Sequence, residues 1–205
     1  MPAPVKLLVA SSNPGKLREY QLLAAGAPLE LALIPNFSAL PAFDETAPTF
    51  AENAAGKAEH YSKFAGEIVL ADDSGLVVPA LGGAPGIHSA RYAGPGASDA
   101  DRVRKLLHEM EGKVGEERRA RFVCVAALAR SGRILAVVSD YAEGLLTTEP
   151  RGTDGFGYDP IFYFEQLGRT YAETTREEKN RYSHRGKAFR KIIALLTSSE
   201  ADSFF

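Results

Sequence analysis

The 205-residue chain has 45% hydrophobic and 24% charged residues, proportions typical of a globular domain that can bury a substantial core. Its 24 basic and 26 acidic residues give a formal net charge of -2. This balance excludes the broad basic surface that sequence-independent nucleic-acid binding requires, so we expect no nucleic-acid partner. Any nucleotide that the chain binds is expected to be small and free.

The termini and the single cysteine favour a soluble cytoplasmic protein. Residues 1–4 lack a charged segment followed by an apolar run, and no stretch approaches the ~18 apolar residues of a membrane span, so we expect no membrane partner. Cys124 lies among apolar residues, which favours a small buried hydrophobe over a nucleophile. We expect one domain over residues 1–197 and a C-terminal tail over residues 198–205.

The first third of the chain alternates short apolar runs with helical patterns. Residues 5–10 predict a strand, 17–25 a helix and 29–34 a second strand, which ends at Pro35. A loop rich in proline follows and carries Asp44 and Glu45. Thr49 and Glu52 have capping-box spacing and predict a helix to about residue 65.

The remaining elements suggest a sheet of mixed direction. Residues 68–71 predict a brief strand that ends at Asp72 and Asp73, and Ser98 with Asp101 predicts a helix to about residue 109. Residues 121–129 and 134–142 predict a hairpin, followed by a loop over 152–160, a strand over 161–164 and a helix ending near residue 196. Because strands and helices do not alternate strictly, we expect an α/β fold with a mixed sheet flanked by helices.

The first candidate site is the segment between the first strand and the first helix. Backbone N–H groups of such a turn can bind phosphate oxygens, and Lys16 would add positive charge. The segment is not a Walker A motif, because Ala10 and Leu17 replace the glycine and the hydroxyl residue that this motif requires. The alternative is an ordinary turn with a solvated lysine. The segment comprises Ser11, Ser12, Asn13, Pro14, Gly15 and Lys16.

The second candidate site is the acidic segment Asp72, Asp73 and Ser74. Mg²⁺ binds one or two carboxylates together with substrate phosphate oxygens, and this segment with Glu45 supplies such ligands. Adjacent strand residues face opposite ways, so both acids can point into one pocket only where the strand has ended. The alternative is a solvated turn in which the aspartates cap backbone groups.

The third candidate is the glycine-rich segment 152–160. Its glycines suit a loop whose backbone approaches a ligand closely, and Phe156 and Tyr158 offer flat faces on which a base can stack. The alternative is a glycine-rich hairpin with aromatic core anchors.

The fourth candidate is the donor-rich segment 177–187, near the expected start of the last helix. Its cationic side chains would suit an anion or the carbonyl oxygens of a base. The alternative is a solvated charged face.

These segments together resemble the pyrophosphatases of non-standard purine nucleoside triphosphates, the inosine triphosphatase or dITP/XTP pyrophosphatase group. The motifs ADDSGL, LGGAPG, GFGYDPIF and EEKN-x-x-SHRGKA occur in the family's order and cover nearly the whole chain. The resemblance implies a long curved mixed sheet with helices around it, two lobes and a nucleotide site in the central cleft. It also implies a homodimer, an Mg²⁺ cofactor and a small nucleotide substrate.

The resemblance also implies residue roles. Lys16 would contact the phosphates and Asp73 would be the general base, with Asp72 close by. Glu45 and Asp73 would hold Mg²⁺, although whether Asp44 or Glu45 touches the metal stays open. The further substrate contacts would be Ser11 to Gly15, Ser74, Phe156, Gly157, Tyr158, Asp159, Lys179, His184 and Arg185.

Two rival functions remain. A nucleotide sensor without hydrolysis would lack the acids or the lysine, and a pyrophosphatase of the related Maf type would lack the SHRGKA and GFGYDP segments. Three residues depart from the family pattern without removing a proposed catalytic group: His88, Asp154 and Tyr182.

Overall fold

The computed structural model describes residues 4–198. Within these residues the chain forms seven strands and five α-helices. The strands are β1 Val5–Val9, β2 Leu29–Leu33, β3 Ile68–Val77, β4 Arg119–Arg130, β5 Arg133–Leu146, β6 Phe162–Phe164 and β7 Arg169–Thr170. The helices are α1 Pro14–Ala24, α2 Phe50–Ser62, α3 Asp99–Glu109, α4 Arg176–Tyr182 and α5 His184–Thr197.

All seven described strands belong to one sheet in the order β2-β1-β3-β4-β5-β6-β7. Strand β1 pairs in parallel with both β2 and β3, whereas β6 pairs antiparallel with β5 and β7. The predicted α/β fold with a mixed sheet and flanking helices is therefore confirmed.

Helix α1 begins earlier than the apolar pattern predicted. Pro14 occupies its first turn, where the missing N–H group costs no hydrogen bond, and Asn13 caps it. Residues 11–13 are therefore a short loop, and Gly15 and Lys16 already belong to the helix.

Strand β3 is longer than predicted, and this corrects the expectation that it ends at the acids. Asp72, Asp73 and Ser74 lie inside the ten-residue strand. The prediction failed because an aspartate pair is unfavourable in a buried strand unless its charge is compensated, and the compensating residues are distant in sequence.

Three local predictions agree closely with the structure. Thr49 caps α2 by accepting the N–H of Glu52, and Ser98 and Asp101 form a reciprocal capping box on α3. The turn between β4 and β5 is the expected Ser131–Gly132 pair, with φ of 50° and 76°. Positive φ at both positions matches the two-residue turn that joins hairpin strands.

The C-terminal helical region is divided into two helices. Ser183, with φ of -66° and ψ of 157°, ends α4, and α5 begins at His184. His184 and Arg185 therefore lie in the first turn of a new helix.

The described chain divides into two compact units. Unit 1 contains residues 4–73, 124–140 and 185–198, and unit 2 contains residues 74–123 and 141–184. Each has its own apolar core, with Leu7, Leu70 and Phe189 in unit 1 and Leu106, Phe122 and Phe162 in unit 2. The single domain over residues 1–197 stays a prediction, and residues 199–205 of the predicted tail lie outside the described residues.

Two smaller expectations concern burial and membrane spans. Cys124 is fully buried, as its neighbours suggested, and burial followed by the nearby Asp72 charge raises the pKa of its thiol to about 12. A thiol with so high a pKa stays protonated and unreactive at neutral pH.

Across residues 4–198, no helix has the length and apolar character needed to cross a bilayer.

Candidate active site

Asp72 is the centre of a buried ion network in unit 1. Its side chain is 2% exposed, and its Oδ2 atom lies 2.8 Å from Lys16 Nζ and 3.3 Å from Arg185 Nη2. Burial alone would raise the pKa of Asp72, but Lys16 and Arg185 outweigh that effect and hold the pKa below its ordinary value. Asp72 is therefore a permanent anion at neutral pH.

Arg185 connects this network to helix α1. Its side chain is 1% exposed, and its Nη1 atom forms an ion pair with Glu19 while Nη2 contacts Asp72. A guanidinium buried this deeply needs carboxylate partners, since an uncompensated buried charge costs several kcal/mol. The structure thus directs both terminal nitrogens of Arg185 at carboxylates, and its predicted contact with the purine stays a prediction.

Asp73 has the opposite electrostatic character. It is 7% exposed, and burial followed by the Glu45 charge raises its pKa to about 6. Asn53 Nδ2 donates a hydrogen bond of 3.1 Å to Asp73 Oδ2, which fixes the carboxylate. A carboxylate with a pKa close to neutrality is suited to act as a general base.

Glu45 is neutralised by Lys57 of helix α2. The two side chains form an ion pair of 2.6 Å, and Lys57 is largely buried. Asn53 and Lys57 are four residues apart and share one face of α2, so one helix supports both Asp73 and Glu45. The acidic loop and β3 are thereby linked through α2 within unit 1.

The segment Ser11 to Lys16 is pre-ordered by its own side chains. Asn13 Oδ1 accepts the N–H groups of Gly15 at 2.8 Å and Lys16 at 3.1 Å, and Ser11 Oγ accepts the N–H of Asn13 at 3.2 Å. The N–H groups of Asn13, Gly15 and Lys16 thus already have partners. Lys16 Nζ lies beside Asp72, and a phosphate would share this ammonium group with it.

The glycine-rich segment of unit 2 closes around Asp159. Asp159 Oδ2 accepts the N–H of Phe156 at 2.9 Å and lies 2.5 Å from Lys179 Nζ. Gly155 has φ of +79°, and a Cβ atom there would overlap Asp159 Oδ2. Only glycine is accommodated at this position without strain.

Lys179 and His184 both lie against aromatic rings of unit 2. Lys179 Nζ is 4.6 Å from the centre of the Phe156 ring, and His184 stacks on Phe122 at 4.8 Å with an interplanar angle of 9°. Both side chains are buried, so the fourth segment is not the solvated charged face considered as its alternative. Tyr158 is buried too, and its hydroxyl donates to the Ser89 carbonyl at 2.9 Å.

The donor set of unit 1 fits a hard cation such as Mg²⁺. Among residues 4–198, no group of three or more His, Cys, Asp or Glu is arranged to hold a metal by itself. Asp73 and Glu45 nevertheless provide two oxygen donors, and burial followed by the Glu45 charge raises the pKa of Asp73. Mg²⁺ requires no more than one or two carboxylates when substrate phosphates and water complete its shell.

Comparison with known proteins identifies the family. The model of the Ham1 family matches residues 7–195. The chain belongs to the Ham1 family. A dITP/XTP pyrophosphatase from Geobacillus kaustophilus is 49% identical over 187 residues, which cover 91% of this chain and 92% of the relative.

Solved Ham1 structures have the same fold. A HAM1 protein from Coxiella burnetii superposes with a TM-score of 0.83 at 43% identity, covering 94% of this chain and 98% of that one. A nucleoside-triphosphatase, also named dITP/XTP pyrophosphatase, from Mycobacterium abscessus has a TM-score of 0.71 at 38% identity, covering 94% and 100%.

Three residues of the candidate site received no role from the sequence: Glu19, Asn53 and Lys57. The four-residue spacing of Asn53 and Lys57 on a capped helix placed them on one face and was the available signal. Glu19 follows Lys16 by three residues on α1, which gives the same kind of signal. The partners of all three lie on other elements, so no local pattern identifies them.

The three departures from the Ham1 pattern have simple surroundings. His88 and Asp154 are exposed, and Tyr182 packs its ring 5.9 Å from that of Phe164.

Ser74 is half-buried in β3, directly after Asp73. The substrate contact predicted for Ser74 stays a prediction.

Proposed function

We propose that this Ham1 protein hydrolyses non-standard purine nucleoside triphosphates, namely ITP, dITP and XTP, to the monophosphate and pyrophosphate. The observation that carries the proposal is Asp73, a buried carboxyl whose pKa is raised to about 6 beside the permanent anion Asp72. Two neighbouring carboxylates with pKa values driven apart are typical of acid–base chemistry. The names of the relatives from G. kaustophilus and M. abscessus support the substrate class.

Lys16 and Lys57 would receive the triphosphate. Each ammonium group already pairs with a carboxylate, Asp72 or Glu45, so each is held in place before substrate arrives. A pre-positioned charge stabilises developing negative charge without reorganisation. Lys57 is an addition to the roles that the resemblance implies.

We propose Mg²⁺ as the cofactor, held by Glu45 and Asp73 together with phosphate oxygens. When bound, it would neutralise phosphate charge and act as a Lewis acid. Glu45 is the better of the two acidic-loop candidates, because its charge acts on Asp73 whereas Asp44 is exposed and has no described contact with Asp73. Magnesium dependence is tested by the assay below.

In the hydrolytic step, ionised Asp73 accepts a proton from water as the water oxygen bonds to the α-phosphorus. The bond from that phosphorus to the α,β-bridging oxygen breaks, and pyrophosphate leaves with the electron pair. Asn53 holds Asp73 Oδ2 throughout and so orients the base. Asp72 stays ionised because Lys16 and Arg185 stabilise its charge.

The purine would be recognised in unit 2. Phe156 offers a ring for stacking, and Lys179 and His184 supply donors that suit the 6-oxo acceptor of hypoxanthine and xanthine. Adenine carries a 6-amino donor instead, which would face these donors without accepting a hydrogen bond from them. Such a mismatch can cost about 10² to 10⁵ in kcat/KM.

The deciding experiment measures pyrophosphate and orthophosphate released from ITP, XTP, GTP, ATP and dTTP, with and without Mg²⁺, at neutral and alkaline pH. Magnesium-dependent pyrophosphate from ITP and XTP, with little from GTP, ATP and dTTP, is the expected result. Tight ITP binding without hydrolysis would instead support a nucleotide sensor. Preferential hydrolysis of pyrimidine nucleotides would support the Maf-type alternative.

We also propose that the protein is a homodimer and that it is located in the cytoplasm. Multi-angle light scattering of the purified chain tests the first, with a mass near twice 22.0 kDa expected. Fractionation of cells that express the full chain tests the second.

A further inference from the structure

Asp99, the first residue of α3, contacts the glycine-rich segment of unit 2. Its Oδ2 atom accepts the backbone N–H of Gly157 at 2.7 Å, across 58 positions in sequence. Gly157 lies between Phe156 and Tyr158, and its φ is +63°. The contact therefore fixes the backbone at the centre of the segment that would receive the purine.

The other oxygen of Asp99 is held by Arg102. The two side chains form an ion pair one helical turn apart, and Arg102 also donates to the carbonyls of Ala97 at 2.6 Å and Ala90 at 2.9 Å. These three contacts fix the guanidinium, which in turn fixes the Asp99 carboxylate. One carboxylate oxygen of Asp99 thus accepts the Gly157 N–H group, and the other binds Arg102.

A Cβ atom added at Gly157 would meet no atom within 4 Å outside the two adjacent residues. Asp99 and Gly157 both line a surface depression of 710 Å³, which also borders Val103, Leu107 and Pro150. Gly157 therefore borders open space, and its hydrogen bond to Asp99 is a direct contact between this backbone and α3. A segment with glycines at 152, 155 and 157, all at positive φ, also has high intrinsic flexibility.

We propose that Asp99 is a positioning residue that holds the Phe156–Tyr158 backbone in the conformation that selects the purine. This inference rests on the proposed function. Asp99 touches no reacting atom in this scheme and acts through the Gly157 N–H alone. A charged acceptor makes a stronger hydrogen bond than a neutral one, which explains an acidic residue at this position.

The test compares Asp99→Ala and Asp99→Asn with the matched control Asp101→Ala. Asp101 lies in the same first turn of α3 and carries the same charge, but its described contacts are with Ser98 and Arg104. Asp101→Ala therefore controls for the loss of a first-turn carboxylate of α3. Only the Asp99 variants change the acceptor of Gly157.

We expect Asp99→Ala to raise KM for ITP about tenfold, the usual scale for losing a hydrogen bond to a charged group, with a smaller change in kcat. Asp99→Asn keeps one acceptor oxygen and should recover part of this loss. Amide hydrogen exchange over residues 155–159 should be faster in Asp99→Ala, and Asp101→Ala should match the parent in both measurements.

The outcomes separate this inference from the proposed function. Equal KM and exchange in Asp99→Ala and Asp101→Ala would overturn the positioning role, even with an active parent enzyme. An inactive parent would overturn the function, while the exchange experiment would still report whether Asp99 orders the segment.

Discussion

At the scale of single residues, Asp72 and Asp73 are adjacent in β3 but differ in their electrostatic surroundings. Asp72 contacts two cations, whereas Asp73 accepts from a neutral amide and lies near the Glu45 charge. The pKa is lowered in the first and raised to about 6 in the second. Charge compensation therefore decides which acid can accept a proton near neutral pH.

Asp73→Asn should abolish hydrolysis and stabilise the protein. The folded-state pKa is raised, so ionisation of Asp73 costs stability as the pH rises from about 4 through about 6. The variant lacks this ionisation and should be more stable by about 1 to 3 kcal/mol at pH 8, with no gain at pH 4. Urea unfolding at both pH values and the pyrophosphate assay measure this; Glu59→Gln, at an exposed position of α2, is the control.

Lys57→Ala should lower kcat/KM by at least about tenfold and move the acidic limb of the pH–rate profile to higher pH. The lysine charge interacts with Asp73 as well as with Glu45, so its removal should raise the Asp73 pKa further. Lys63→Ala, which breaks an exposed ion pair with Glu59 on the same helix, should leave the profile unchanged. An unshifted profile in Lys57→Ala would remove Lys57 from the site.

At the scale of secondary-structure elements, the start of α1 and the glycine-rich segment 152–160 are each ordered by one of their own side chains. Asn13 caps α1, and Asp159 binds the Phe156 N–H of its own segment. Helix α2 contributes Asn53 and Lys57 from one face. In these elements, the hydrogen bonds of the caps and turns thus form within the chain before any ligand binds.

Gly155→Ala tests the glycine-rich segment as an element. The positive φ should cost about 1 kcal/mol in unfolding free energy, and the overlap with Asp159 should displace the carboxylate from Lys179. We expect a raised KM for ITP and weaker discrimination against ATP. Gly168→Ala has the similar φ of +65° but meets only Tyr163 Oη at 3.9 Å, so it should lose stability alone.

At the scale of the whole molecule, a buried charge network supports unit 1. It joins α1, β3 and α5 through Glu19, Asp72 and Arg185, and each of these residues is at least nine-tenths buried. Buried ion pairs add little relative to apolar packing, but removing one partner leaves an uncompensated charge. The network therefore makes the stability of the molecule sensitive to pH and to single substitutions.

Asp72→Asn should destabilise the protein by about 3 to 5 kcal/mol at pH 8, because Arg185 loses a buried partner. The pKa of Asp72 is lowered, so its contribution is present above about pH 4 and is lost as the pH falls further. The difference in unfolding free energy between parent and variant should shrink on acidification from pH 4 to pH 2. Glu67→Gln, at the exposed pair with Lys6, should change stability by less than about 1 kcal/mol.

Local sequence patterns determined most of the secondary structure. The caps at Thr49 and Ser98, the Ser131–Gly132 turn and the apolar runs are set by interactions between residues a few positions apart. They identified helices α1, α2 and α3, the central hairpin and the mixed sheet, whereas the predicted C-terminal helix is two helices, α4 and α5. The order of the motifs along the chain also indicated the family.

Only the tertiary structure decided how the charges pair. Arg185 contacts Asp72 across 113 positions, Asn53 contacts Asp73 across 20, and Gly157 contacts Asp99 across 58. Both the energy of an ion pair and the pKa of a carboxyl depend on burial and on partners within a few ångströms. The folded-state value of each quantity is set only when distant residues meet, so the sequence indicated which residues carry chemistry, and the fold assigned Asp72, Asp73 and Arg185 their different environments.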